Sequence, residues 1–95
     1  MSKYDLTVLV KATVSGAGLD KLVEKLEKTA KALGGSVTKH TDMGRKQLAY
    51  RINNESEANY MDFTVELPAD GVIQLEKKLA VDKEVIRHLI TKIEE

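Results

Sequence analysis

The chain has 95 residues but no cysteine, no tryptophan, a single proline (Pro68) and only four aromatic residues of the Phe, Tyr and Trp types. Without cysteine there can be no disulfide, no thiolate nucleophile and no cysteine-ligated zinc, and a reducing cytoplasm is the simplest setting. No apolar run approaches the ~20 residues needed to cross a bilayer. The opening Met-Ser-Lys-Tyr-Asp lacks the basic-then-apolar layout of a secretory signal, so no membrane association is expected. Charge of one sign is missing too: 15 Lys and Arg balance 15 Asp and Glu. A free-standing RNA binder normally carries a basic excess, because neutralising phosphates drives its affinity. Any contact with RNA must therefore come from a local patch, helped by a more basic partner.

Catalytic patterns are lacking as well. His40 and His88 fall on different strands with no second ligand at metal-binding spacing, and both read as structural histidines. Asp42 and Asp62 have no partner that marks a catalytic pair. There is no phosphate-binding glycine loop and no nucleophile elbow; Gly16-Ala-Gly18 is too short for a dinucleotide fingerprint. No enzymatic activity, catalytic residue, metal, cofactor or small-molecule substrate is expected.

What is present is a globular pattern, 42% hydrophobic and 32% charged, of a size for one domain spanning residues 1–95. Residues 4–10 alternate Tyr4, Leu6, Val8 and Val10 against Asp5, Thr7 and Leu9, a strand buried on its even face. After a loop broken by Ser15, Gly16 and Gly18, Leu19, Leu22, Val23, Leu26, Ala30 and Leu33 form one helical stripe over 19–33. Gly34-Gly35 ends it. A long second strand runs over 36–53, with a bulge or kink expected at Met43-Gly44. Residues 53–56 read as a turn. A third strand over 58–67 alternates Met61, Phe63, Val65 and Leu67 against Tyr60, Asp62, Thr64 and Glu66. Pro68 precedes a second helix over 70–79, whose apolar face Ile73 widens. A polar turn leads to a last strand over 85–93, with Ile86, His88 and Ile90 on one face and Val85, Arg87 and Leu89 on the other.

The order β-α-β-β-α-β, with right-handed crossovers, predicts an α+β ferredoxin-like sandwich: a four-stranded antiparallel sheet in the order 4-1-3-2 with both helices on one face. That leaves one sheet face bare and puts the long second strand on an edge, which needs a cover. Function is therefore expected on the bare face and that edge. The segment Gly-Arg-Lys-Gln-Leu-Ala-Tyr-Arg-Ile-Asn at 44–53 combines both. Leu48, Tyr50 and Ile52 share one face, and Gln47, Ala49 and Arg51 the other. Between residues 36 and 54, Lys39, Arg45, Lys46 and Arg51 face one acid, Asp42. Arg45 and Lys46 either discourage edge pairing or meet phosphate or a partner.

The same ten residues resemble the signature of the ribosomal protein six family of the bacterial small subunit: a glycine, basic or polar positions, then Leu, a small residue, Tyr, any residue and Ile. Lys3-Tyr4, Pro68, and Val85 with Arg87 also fall where that family has like residues. The resemblance covers essentially the whole chain. It implies a non-catalytic constituent of the cytoplasmic ribosome that binds the central domain of 16S ribosomal RNA together with ribosomal protein eighteen and is monomeric when isolated. It further implies RNA contacts at Lys3, Tyr4, Arg45, Lys46, Arg87 and Lys92, and partner-protein contacts at Leu48, Tyr50, Arg51 and Ile52. The chain departs from the family at Ala80, Asp82 and Lys83, where some relatives carry more arginine, and it ends at Glu95 without the longer charged tail of many relatives.

Two other classes share the fold. An RNA-recognition motif would need a basic residue, glycine and two aromatics in close series on the third strand. The stretch Asn59-Tyr60-Met61-Asp62-Phe63-Thr64 does not supply them, and Asp62 would set an anion on the stacking platform. A small-molecule sensor or self-associating domain would use the bare sheet as a dimer interface.

Overall fold

The computed structural model describes residues 2–52 and 55–94, and within them all side chains except those of Ala49, Arg51, Ile52, Glu55 and Glu94. The elements are β1 (Ser2–Lys11), α1 (Gly16–Ala32), β2 (Ser36–Ile52), β3 (Glu55–Leu67), α2 (Ala69–Ala80) and β4 (Val85–Glu94). The strands form one sheet in the order β2-β3-β1-β4, antiparallel throughout, which is the expected ferredoxin-like topology. The two central strands pair without a break from Ser2–Leu67 to Lys11–Ala58.

Alternation builds the core. Leu6, Val8 and Val10 of β1 and Phe63, Val65 and Leu67 of β3 are nearly or fully buried on the helix side. Leu19, Leu22, Val23 and Leu26 of α1, with Leu75 and Leu79 of α2, close over them. Val85 and Ile90 of β4 pack against the same cluster. The two were expected on opposite faces of β4. A register shift between Leu9 and Val10 skips one residue of β4 and turns Val85 inward. Ile73, expected to widen the buried stripe of α2, is 60% exposed instead.

Helix α1 begins one turn earlier than the apolar stripe suggests. Ser15 is the reason: its hydroxyl accepts from the Gly18 amide at 3.2 Å and caps the first turn. At the other end Gly34 has φ +88°, and the Gly35 amide donates to the Ala30 carbonyl at 2.8 Å, a Schellman closure that turns the chain into β2.

The expected bulge in β2 is present. The register slips between Asp42 and Gly44, where Gly44 has φ +81° and its amide donates to the Asp42 carboxylate at 2.9 Å. Two further irregularities were not foreseen, a one-residue slip between Val37 and Lys39 and a larger one near the end of β2. Between the pairs Gln47–Glu57 and Ile52–Glu55 the chain takes five steps along β2 against two along β3. Residues 48–51 thus bow out of the ladder. Of the expected turn, Glu55 and Ser56 already belong to β3, while Asn53 and Asn54 lie outside the described residues.

Candidate functional site

The bare side of the sheet is built from the alternate residues of the strands that make the core: Asp5, Thr7 and Leu9 on β1, Tyr60 and Asp62 on β3, Arg87 and Leu89 on β4. A cleft of about 340 Å³ lies on this side. Thr7, Leu9, Tyr60 and Leu89 line it together with Arg87, His88, Leu48 and Tyr50. Strand β2 is at the opposite sheet edge from β4. For Leu48 and Tyr50 to meet Leu89, the β2–β3 ribbon must curl across the open face. Ala58 records the curl: it falls on the open side of β3 yet has no exposed surface. The three surplus residues of β2 supply the slack.

Period two separates the adjacent cations. Lys46 reaches the open side, its ammonium 5.5 Å from the centroid of the Tyr60 ring, within cation–π range. Arg45 turns the other way and donates to the Ala12 carbonyl at 2.9 Å. Its neighbour in register, Asn59, donates to the Lys11 carbonyl at 3.0 Å. Both therefore pin the exit of β1, where the Lys11 amide also donates to the Glu84 carbonyl at 2.9 Å. The pair expected to act as one basic patch is split into an open-face cation and a structural tie.

Tyr4 was expected at an RNA-facing edge. The structure places it in the hydrophobic cluster with 8% exposure, because it shares the even face of β1 with Leu6 and Val8. Lys3 lies 3.9 Å from Glu66 across the β1–β3 ladder, a loose exposed pair. Lys92 stands beside Tyr4 in register, at the far end of β4 from Arg87. Neither joins the cleft. Of the residues expected to meet a partner, Leu48 and Tyr50 line the cleft, Tyr50 remaining 69% exposed. The side chains of Arg51 and Ile52 lie outside the described ones. Leu9 and Leu89 were not singled out in the sequence. The signal was there, since each is an aliphatic residue on the face left over after the core face is assigned.

Beside the cleft two acids, Asp5 and Asp62, stand together on the open face. Thr7 donates to Asp62 at 3.3 Å. The Asp62 carboxyl, by a shared hydrogen bond first, then partial burial and like charge, pushes Asp5 above the usual carboxylate range. His40 lies over Phe63, ring centroids 6.1 Å apart, and His88 borders the cleft. Among the described residues no group of three His, Cys, Asp or Glu could hold a metal, and no helix is long and apolar enough to cross a membrane.

Comparison with known proteins gives the family and the fold. The family model for ribosomal protein S6 matches residues 3–92. A relative from Acidobacterium capsulatum is 32% identical over 92 residues, covering 97% of this chain. One from an Exiguobacterium species is 29% identical over 94 residues, covering 99%. Both are named small ribosomal subunit protein bS6. The chain spans 65% of the length of the first and 99% of the second. In fold it is similar to the crystal structure of 30S ribosomal protein S6 from Thermotoga maritima, with a TM-score of 0.89 at 22% identity over 97% of this chain and 87% of that one. The match over residues 3–92, with a relative 32% identical across nearly the whole chain, shows that the chain belongs to the ribosomal protein S6 family.

Proposed function

We propose that the chain is a structural constituent of the cytoplasmic small ribosomal subunit, binding the central domain of 16S ribosomal RNA cooperatively with ribosomal protein eighteen. The observation that carries this reading is the bare sheet face with an apolar cleft at one end and the cations Lys46 and Arg87 beside it. Such a face has no chemistry for turnover, and it suits docking. Lys46 and Arg87 are the RNA contacts on this side, with Lys3 and Lys92 serving the β1–β4 end. Tyr4 is left out because it is buried. The outer edge of the β2 ribbon around Leu48, Tyr50, Arg51 and Ile52 meets the partner protein. This edge pairs only with β3 and needs a cover. Zero net charge accords with cooperative binding, since a basic neighbour supplies the missing cations.

Co-sedimentation tests the reading. Tagged protein is expected in 30S particles together with protein eighteen. Its affinity for central-domain RNA is expected to rise when protein eighteen is added and to fall with salt. A stable homodimer that stays out of 30S particles would favour the self-associating class instead.

A further inference from the structure

We propose that the cleft on the open face holds one unpaired RNA nucleotide, its base against Tyr60 and its phosphate toward Lys46 and Arg87. The proposal deepens the reading above and rests on it, because it takes ribosomal RNA as the polymer within reach. The walls fit a base. Leu9 and Leu89 give an apolar floor, Tyr60 an aromatic wall, and Leu48 with Tyr50 a roof from the curled ribbon. Every base has a π face, so stacking on such a surface needs no particular sequence. The volume of about 340 Å³ falls at the small end of ligand clefts.

Charge selects this occupant over an apolar protein anchor. A leucine or phenylalanine from a partner would fill the walls but bring no counter-charge to Arg87 at the cleft and Lys46 above Tyr60, which have none among the described residues. A nucleotide brings a flat apolar ring and an anion in one unit. Lys46 already lies over the Tyr60 ring. From there its ammonium can turn to the phosphate of a base seated in the cleft against Tyr60. The acidic end of the same face limits the site to one residue of RNA. Asp62 is two positions from Tyr60 on β3, about 7 Å along the strand, and Asp5 lies beside it. A phosphate set directly beside that pair of acids would be repelled, so the RNA leaves the face at Tyr60 rather than running on past Asp62. The base must come from a single strand or a bulge, because a duplex hides its ring faces.

The test is a nuclear magnetic resonance titration with the single-stranded octamer A8 at low salt, repeated with an RNA duplex of equal length. Methyl signals of Leu9 and Leu89 are expected to move by adenine ring current with A8 and to stay in place with the duplex. Tyr60→Ala is expected to weaken A8 binding by about fivefold to a hundredfold, the loss of one stack. Tyr60→Phe, which keeps the ring, is expected to retain more affinity than the alanine variant, with the melting curves of both confirming that they fold. Lys46→Gln and Arg87→Gln are each expected to flatten the salt dependence. Leucine methyls that stay still at millimolar A8 overturn the proposal, as does equal A8 affinity of wild type and Tyr60→Ala. Loss of protein eighteen binding in Tyr60→Ala with unchanged A8 binding gives the cleft to a protein anchor and overturns it too. In either case wild-type entry into 30S particles leaves the ribosomal reading standing. Failure of wild type to enter them ends both.

Discussion

The two sides of the sheet are made by the same strands and have almost nothing else in common. On the helix side, Leu6, Val8, Phe63 and Val65 are sealed under two helices. One residue away along each strand, Thr7, Leu9, Tyr60 and Asp62 face a side that no helix covers. Because side chains alternate with a period of two, a single step along the chain changes a residue's task from holding the fold to meeting a neighbour. Arg45 and Lys46 show this most sharply. They are adjacent, alike in charge and far apart in role: one ties the ribbon to the β1–α1 loop, the other sits over an aromatic ring on the open side.

The division can be tested by paired substitutions. Phe63→Ala removes a side chain that is 1% exposed and should cost about 3–5 kcal/mol in denaturant unfolding. Leu89→Ala, at a residue 62% exposed, should cost no more than about 0.5 kcal/mol. Similar costs at both sites would mean that the isolated chain buries its open face, as a self-associating domain does. A smaller contrast divides the adjacent cations. Arg45→Ala should lower stability by about 1 kcal/mol through the lost bond to Ala12. Lys46→Glu should leave melting nearly unchanged and reduce entry into 30S particles. If the two variants behave alike in both measurements, the faces do not divide the labour.

The acids differ as the faces do, and pH separates them. Asp82, on the helix side between α2 and β4, is pushed up by partial burial. The Glu84 amide and the Lys25 ammonium at 3.0 Å outweigh that and hold it below its ordinary value. A lowered folded value makes this contribution complete above pH 3.8, and it is lost as pH falls through the folded value. Asp5 has the opposite sign. Its folded value is raised, so its penalty is absent below pH 3.8 and grows as pH rises through the folded value. Lys25→Ala should therefore cost about 0.5 kcal/mol at neutral pH and nothing in strong acid. Asp62→Asn should stabilise by a few tenths of a kcal/mol at neutral pH, with no gain near pH 2. Urea midpoints measured across that range check both signs.

The helix side was legible in the sequence because burial imposes a pattern. The stripe from Leu19 to Leu33 and the alternation of Met61, Phe63, Val65 and Leu67 specify their elements, and the element order gives the sheet. Ser15 moved the start of α1 because a cap is set by one hydroxyl, not by periodicity. Val85 turned inward because a bulge on β4 shifts parity, and no composition marks that bulge. On the open side the sequence located the ribbon but not how its residues divide between the two faces. Treating Arg45 and Lys46 as one patch ignored the alternation already used for Leu48 and Tyr50. Tyr4 was drawn outward although its own strand pattern placed it with Leu6 and Val8. The cleft was out of reach, since it depends on how far the ribbon curls, and that depends on pairing between strands rather than on either strand alone.

The surplus length of β2 near the tip of that ribbon has a wider consequence. Strand pairs of equal length would twist gently without folding over, and the bare side would be an open sheet. A few unmatched residues convert it into a recess, and they do so near the ribbon tip, away from the cluster under the helices. Deleting or adding residues there would resize the recess like a sliding shutter, changing what can enter while the two-helix scaffold folds as before.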